Sequence, residues 1–191
     1  ISAFSEDWQR YDVNVVINQK EQILEVDCPF EPVFWSFDFD DKISDAVTTE
    51  WSVLKVSGTV AMPQALMNKI NFTSSTSDSA LLRIEHHWAP ADGTFGVPQG
   101  AVINRQRYWT IDGIWPEGTS LSSEIIYSGL VSMSVDYGYL DNDLIKITED
   151  SLVLLFRPHA GVAWSVASDY TKNMGSLFDK RGTISISNLK R

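Results

Sequence analysis

The chain has 191 residues, 43% hydrophobic and 12% aromatic, and its 15 basic against 25 acidic side chains give a formal net charge of -10. That composition excludes intrinsic disorder, and no uncharged apolar run approaches the roughly 20 residues of a membrane-spanning helix. The acidic balance repels phosphate backbones and anionic lipid, which argues against a nucleic-acid partner and against membrane insertion, and it favours solubility.

Ile1 opens the chain with no initiator Met, no basic n-region and no apolar h-region, so the expectation is a piece of a longer protein with no signal peptide of its own. From Tyr11 to Asn18, Val13, Val15 and Ile17 alternate with Asp12, Asn14 and Asn18, a period of two that predicts a half-buried strand. Gln22 to Val26 follows after the polar Gln19-Lys20-Glu21, which predicts an antiparallel hairpin. Cys28 is the only cysteine, so an intramolecular disulfide and a Cys-x-x-Cys metal site are excluded. It reads as a buried strand thiol, and low cysteine use fits both a cytosolic protein and an exported one.

After Pro29 and Pro32, Val33, Trp35, Phe37 and Phe39 alternate with Phe34, Ser36 and Asp38, and the first set is the expected core-facing one. Asp38, Asp40 and Asp41 close this strand as a carboxylate cluster of a kind that can hold calcium. The glycine bend and distal bidentate Glu of a calcium loop are missing, so a solvated turn is the preferred reading; the same holds for Asp136, Asp141 and Asp143. A moderately apolar stretch from Ala46 to Val56 leads to Gly58, where the first unit ends. Pro63 to Ile70 suits either a helical turn or a strand. Thr73 to Ser79 is small and polar, a loop or link between units.

Ala80 to Trp88 predicts a strand, followed by a Gly- and Pro-rich loop to Gly100. Further strands are expected at Gln106–Ile111, Ser123–Tyr127, Leu144–Ile147, Ser151–Arg157, Val162–Val166 and Thr183–Leu189. Short strands at this spacing predict an all-β chain of two antiparallel β-sandwich (Ig-like) modules, a small one over residues 1–57 and a larger one over 58–191.

Few residues point to chemistry. Glu85, His86, His87 and Trp88 invite a zinc reading, but neighbouring residues of a strand point to opposite faces, and a His-Glu-x-x-His helix is absent. No Gly-x-Ser-x-Gly elbow or phosphate loop occurs, and His159 sits in a turn-like Arg-Pro-His-Ala-Gly. Paired acids of a glycosidase kind are not excluded by sequence. Trp88, Trp109, Trp115 and Trp164 could stack on sugar; the preferred reading puts them in a core or at a sealed edge.

The segments "RIEHHWAPADG" (83–93), "NRQRYWTIDGIWPEG" (104–118), "YLDNDL" (139–144) and "EDSLVLLFRPHAGVAW" (149–164) resemble the β-rich region that follows the catalytic domain in secreted bacterial M1 (gluzincin) zinc aminopeptidases. The earlier "NQKEQILEVDCPFEPVFWSFDFDDKISDA" (18–46) is similar to the short β-sandwich beside that domain. The family cleaves N-terminal residues with zinc held by a His-Glu-x-x-His helix and a downstream Glu, and binds the substrate amine through a Gly-rich acidic motif. None of these stands in this chain, so the resemblance carries over no catalytic, cofactor-binding or metal residue. It implies a non-catalytic accessory or scaffold region, secreted or at the cell surface, whose partner is the catalytic domain of the same parent and whose zinc belongs to that domain. The alternative is a carbohydrate- or protein-binding β-sandwich module of another secreted protein.

Overall fold

A computed structural model describes the chain except for residues 44, 55–57, 62–67, 75–78, 92–95, 118, 132–139, 176–178 and 190–191. Among the described residues there is no helix, and the chain is all-β, in four antiparallel sheets. The first sheet has β1 (Ser2–Phe4) between β2 (Arg10–Asp12) and β3 (Phe34–Ser36). The second has β7 (Ala80–His87) between β4 (Val47–Leu54) and β8 (Tyr108–Ile114). The third runs β12 (Tyr170–Met174), β13 (Arg181–Ile186), β9 (Thr119–Ser128), β6 (Asn68–Ser74), β5 (Gly58–Ala61). The fourth is the small pair β10 (Leu155–Phe156) and β11 (Ser165–Val166).

β7 explains the arrangement. A strand covered on both faces reads as a continuous apolar run, and Ala80, Leu81, Leu82 and Ile84 are all buried. Its alternation sends Ala80, Leu82 and Ile84 into one core with Leu54, Ile70 and Leu121, and Leu81 into another with Phe4, Phe34, Phe39 and Ile114. Each fully buried Leu or Ile contributes about 2 kcal/mol of transfer free energy. β9 shows the opposite pattern: Leu121, Ser123, Ile125 and Tyr127 are buried while the residues between them are more open, as in a strand with one wet face. Tyr127 also joins a third core with Ile145 and Ile184.

The eight-residue ladder from Val47↔His87 to Leu54↔Ala80 crosses residue 57, where the sequence suggested a boundary. Ala80–His87, Tyr108–Ile114, Thr119–Ser128 and Arg181–Ile186 bear out the strands expected there, with shifted ends. β1, β5 and β12 were not anticipated.

Several expectations are corrected. The strand over Tyr11–Asn18 stops at Asp12, and Gln22–Val26 forms no hairpin ladder. The parity of Val33–Phe39 is reversed. Phe34 and Ser36 are buried, while Val33, Trp35 and Phe37 are 39%, 43% and 55% exposed. Phe39 nevertheless returns to the core, because Asp38 adopts a left-handed φ of 49° and resets the alternation. Asp38 holds that turn by accepting the backbone N–H of Lys42 at 3.0 Å and of Ile43 at 2.6 Å. Leu144–Ile147 is a turn rather than a strand: Leu144 and Ile145 donate N–H bonds to the Asp141 carbonyl at 3.0 and 2.8 Å. Ser151–Arg157 and Val162–Val166 shrink to two-residue strands. Cys28 lies half-buried outside any strand. Of Pro63–Ile70, residues 63–67 lie outside the described residues and 68–70 begin β6; of the expected link, Thr73 and Ser74 end β6 and 75–78 lie outside.

Candidate functional site

Strand alternation splits the His86–His87 pair. His86 is fully buried on the face toward β6 and β9, its ring 3.9 Å from Trp88 and stacked 4.7 Å from Trp109. His87 lies on the other face, in line with Arg83 and Glu85, which share its parity on β7. The two imidazoles therefore serve separate environments, as the strand geometry predicts.

The face carrying Arg83, Glu85 and His87 holds the densest cluster of ionisable groups on the sheet. Arg83 Nη1 bonds Glu85 Oε1, its Nη2 donates to the Asp38 carbonyl at 3.4 Å, and Asp41 lies 3.9 Å away. His87 Nε2 is 3.3 Å from Glu85 Oε2 and 3.0 Å from Thr110 Oγ1, and its ring stacks on Tyr108 at 4.1 Å. Pairing in the β7–β8 ladder, Glu85↔Thr110 and His87↔Tyr108, sets these contacts. Burial pushes the Glu85 carboxyl up, but the His87 hydrogen bond and the charge of Arg83 outweigh it and hold the group below the ordinary carboxylate range. A hollow of about 120 Å³ adjoins the cluster, lined by Ser36, Phe37, Arg83, Glu85, Thr110 and Asp112 among others.

Acid, imidazole and hydroxyl in a row suggest nucleophilic catalysis, but the geometry is wrong for it. A relay needs the carboxylate on one ring nitrogen and the hydroxyl on the other. Here Glu85 and Thr110 approach the same nitrogen, so an Nε2–H donated to Glu85 cannot also take the proton of Thr110. The arrangement is a cross-strand clamp that fixes β7 against β8.

The remaining candidates are engaged in a similar way. Arg10 makes two bonds to Asp40, at 2.7 and 2.6 Å, and one to Asp12 at 2.7 Å, while Lys42 reaches Asp40 at 3.0 Å. The Arg10 hydrogen bond, followed by that of Lys42, holds the Asp40 carboxyl far below the ordinary range. Asp141 is ligated by Arg107, and Asp143 pairs with Lys146 at 3.4 Å. Asp136 lies outside the described residues. No group of three or more His, Cys, Asp or Glu converges as a metal set among the described residues. His159 accepts the Gly161 N–H at 3.2 Å within an exposed turn.

The four tryptophans do not share one patch. Trp88 donates its indole N–H to Thr48 Oγ1 at 2.9 Å, Trp109 and Trp115 pack on the core of Leu82 and Ile84, and Arg157 lies 4.4 Å over Trp164. Trp35 and Phe37 are exposed as well, which was missed because their alternation suggested burial. Arg83 and Thr110 were missed as well; the period-two series Arg83, Glu85, His87 was the available signal for the first, and only cross-strand register reveals the second.

Comparison with protein-family models, curated proteins and solved structures finds no match to this chain.

Proposed function

We propose that the chain is a non-catalytic accessory region of a secreted zinc aminopeptidase-like protein, organised as two Ig-like β-sandwich modules and acting as scaffold for the catalytic domain of the same parent. The observation that carries this reading is the sharing of His87 Nε2 by Glu85 and Thr110, which turns the chain's best acid–base cluster into a structural clamp. The resemblance of residues 83–93, 104–118, 139–144 and 149–164 to the region after a gluzincin catalytic domain supplies the parent. Zinc and the peptide substrate belong to that parent domain.

The test is enzymatic and thermal. The isolated chain, with zinc supplied, is expected to leave aminoacyl-nitroanilides intact, and its addition to the parent's peptidase domain is expected to raise that domain's melting temperature. Zinc-dependent hydrolysis by the isolated chain overturns the reading.

A further inference from the structure

The third sheet ends in a strand whose outer edge is open. β12 pairs with β13 from Tyr170↔Ile186 to Met174↔Gly182 without a bulge. Just beyond the ends of that ladder the Ser187 N–H donates to the Asp169 carbonyl at 2.9 Å, and the Gly175 N–H donates to the Arg181 carbonyl at 2.8 Å. These bonds fix the parity. Bonded residues alternate in an antiparallel pair, so Thr171 and Asn173 turn their main chain toward β13. The N–H and C=O of Tyr170, Lys172 and Met174 therefore face away from it, and no described strand meets them there.

Edge strands are ordinarily guarded by an outward charge, a proline or a bulge. β12 has no proline and no bulge, and its one charged residue is turned aside. Lys172 shares the inner face with Ile184, and its ammonium donates to the carbonyls of Glu149, Asp150 and Leu152 at 2.6, 2.7 and 3.3 Å. The opposite face of the strand carries Thr171 and Asn173, both exposed and uncharged. Met174 is 56% exposed, and its neighbour across the ladder is Gly182, which has no side chain to cover it.

We infer that this edge pairs with the same edge of a second copy of the chain, antiparallel about a two-fold axis at Lys172. In such an isologous contact each residue must suit the one that faces it from the other copy, and the order Tyr-Thr-Lys-Asn-Met meets that demand. Lys172 faces Lys172 and Tyr170 faces Met174, each pair exchanging both main-chain bonds. Met174 thereby gains an aromatic ring against its sulfur. Thr171 faces Asn173, whose Nδ2 already donates to Ser185 Oγ at 2.9 Å, so its Oδ1 is left to accept the threonine hydroxyl.

Like charges directly opposite one another repel. Here the carbonyls of Glu149, Asp150 and Leu152 hold each Lys172 ammonium against its own chain, which removes that obstacle. A foreign strand would satisfy the main chain alone, and the side-chain match is what favours a second copy. A contact built on one short edge is smaller than the roughly 1,200 Å² of a stable interface, so the pairing is reversible. The net charge of -10 on each copy opposes it at low salt and is screened at high salt. This contact is independent of the scaffold reading above and extends beyond it.

The experiment is sedimentation equilibrium on the full chain over a range of concentrations at low and high salt, with residue-resolved amide exchange on the same samples. The chain should pass from monomer to dimer as concentration rises, more readily at high salt. The dimer should protect the amides of Tyr170, Lys172 and Met174, while those of Thr171 and Asn173, already turned to β13, change little. Thr171→Lys with Asn173→Lys sets like charges across the contact and should weaken association roughly tenfold, although it reduces the net negative charge of each copy. Thr171→Asp with Asn173→Lys sets opposite charges there and should restore association, which separates the contact from any loss of folding at these positions. A chain that stays monomeric at every concentration overturns the inference, as does a dimer that both double variants form equally or that leaves Tyr170, Lys172 and Met174 unprotected. Protection of those amides by an added peptide of alternating Val and Thr, but never by more protein, assigns the edge to a foreign strand and likewise overturns the second copy.

Discussion

Arg107 and Asp141 meet through two parallel bonds, Nε to Oδ1 at 2.8 Å and Nη2 to Oδ2 at 2.7 Å, with only 3% and 4% of the two residues exposed. The carboxylate also accepts the Ser128 N–H and the Asn104 amide, each at 2.8 Å, and Arg107 donates to the Ile126 carbonyl at 2.7 Å. One ion pair therefore ties the lead into β8, the end of β9 and the turn at Asp141 into a single unit. Removing one partner leaves a buried charge unmatched, which costs about 3–5 kcal/mol. Asp141→Ala should lose that much in urea unfolding, and Arg107→Met with Asp141→Leu should lose less than the single change. Equal losses would mean that the cost lies in the lost hydrogen bonds to Ser128, Asn104 and Ile126 rather than in the unmatched charge.

Gly113 has a φ of 149°, and a Cβ there would stand 2.0 Å from the Leu81 carbonyl oxygen of the paired strand. Gly100 has a φ of 85° with nothing near a Cβ. Both positions disfavour alanine on backbone grounds, at roughly 1–3 kcal/mol, and only Gly113 adds a collision with main chain. Gly113→Ala should therefore lower the melting temperature more than Gly100→Ala, and the difference measures how closely β7 and β8 approach.

The carboxyls of Glu85, Asp12, Asp38 and Asp40 are all held below the ordinary range, Glu85 against its own burial and the others chiefly by hydrogen bonds. The unfolded chain then binds more protons than the folded one as acid is added. Their stabilisation is complete above the ordinary carboxyl pKa of about 4 and disappears as pH falls through the lower folded values. The urea midpoint should decline below about pH 5. Glu85→Gln should flatten part of that decline while the three aspartates maintain the rest; an unchanged slope would show that Glu85 is not clamped by His87 and Arg83.

Strands buried on a continuous or regularly alternating pattern were legible in the sequence: β7, β8, β9 and β13 all carry their apolar residues where a covered face needs them. Residues 13–18 carry an equally good pattern, yet a strand requires a paired neighbour as well as an alternation, and no ladder holds them among the described residues. Propensity cannot report that shortage. The site was half-legible for a similar reason. Glu85 and His87 are visible as neighbours on one face, but Thr110 reaches His87 through register, and register follows from the whole β7–β8 pairing rather than from any local motif.

The parity of residues 33–37 offers the sharpest separation between pattern and packing. Val33, Phe34, Trp35 and Phe37 are all apolar, so either face could have been buried, and what decides is the aromatic group waiting inside. The Phe34 ring lies 5.3 Å from that of Phe4, which in turn lies 4.8 Å from Phe39, and Leu81 and Ile114 close the same core. Phe34→Ala opens a cavity there and should cost about 3–5 kcal/mol in chemical denaturation. Trp35, half-exposed on the opposite face, should cost less than about 1 kcal/mol when changed to Ala, close to an ordinary surface substitution. A larger loss at Trp35 than at Phe34 would restore the reading in which Val33, Trp35 and Phe37 face inward.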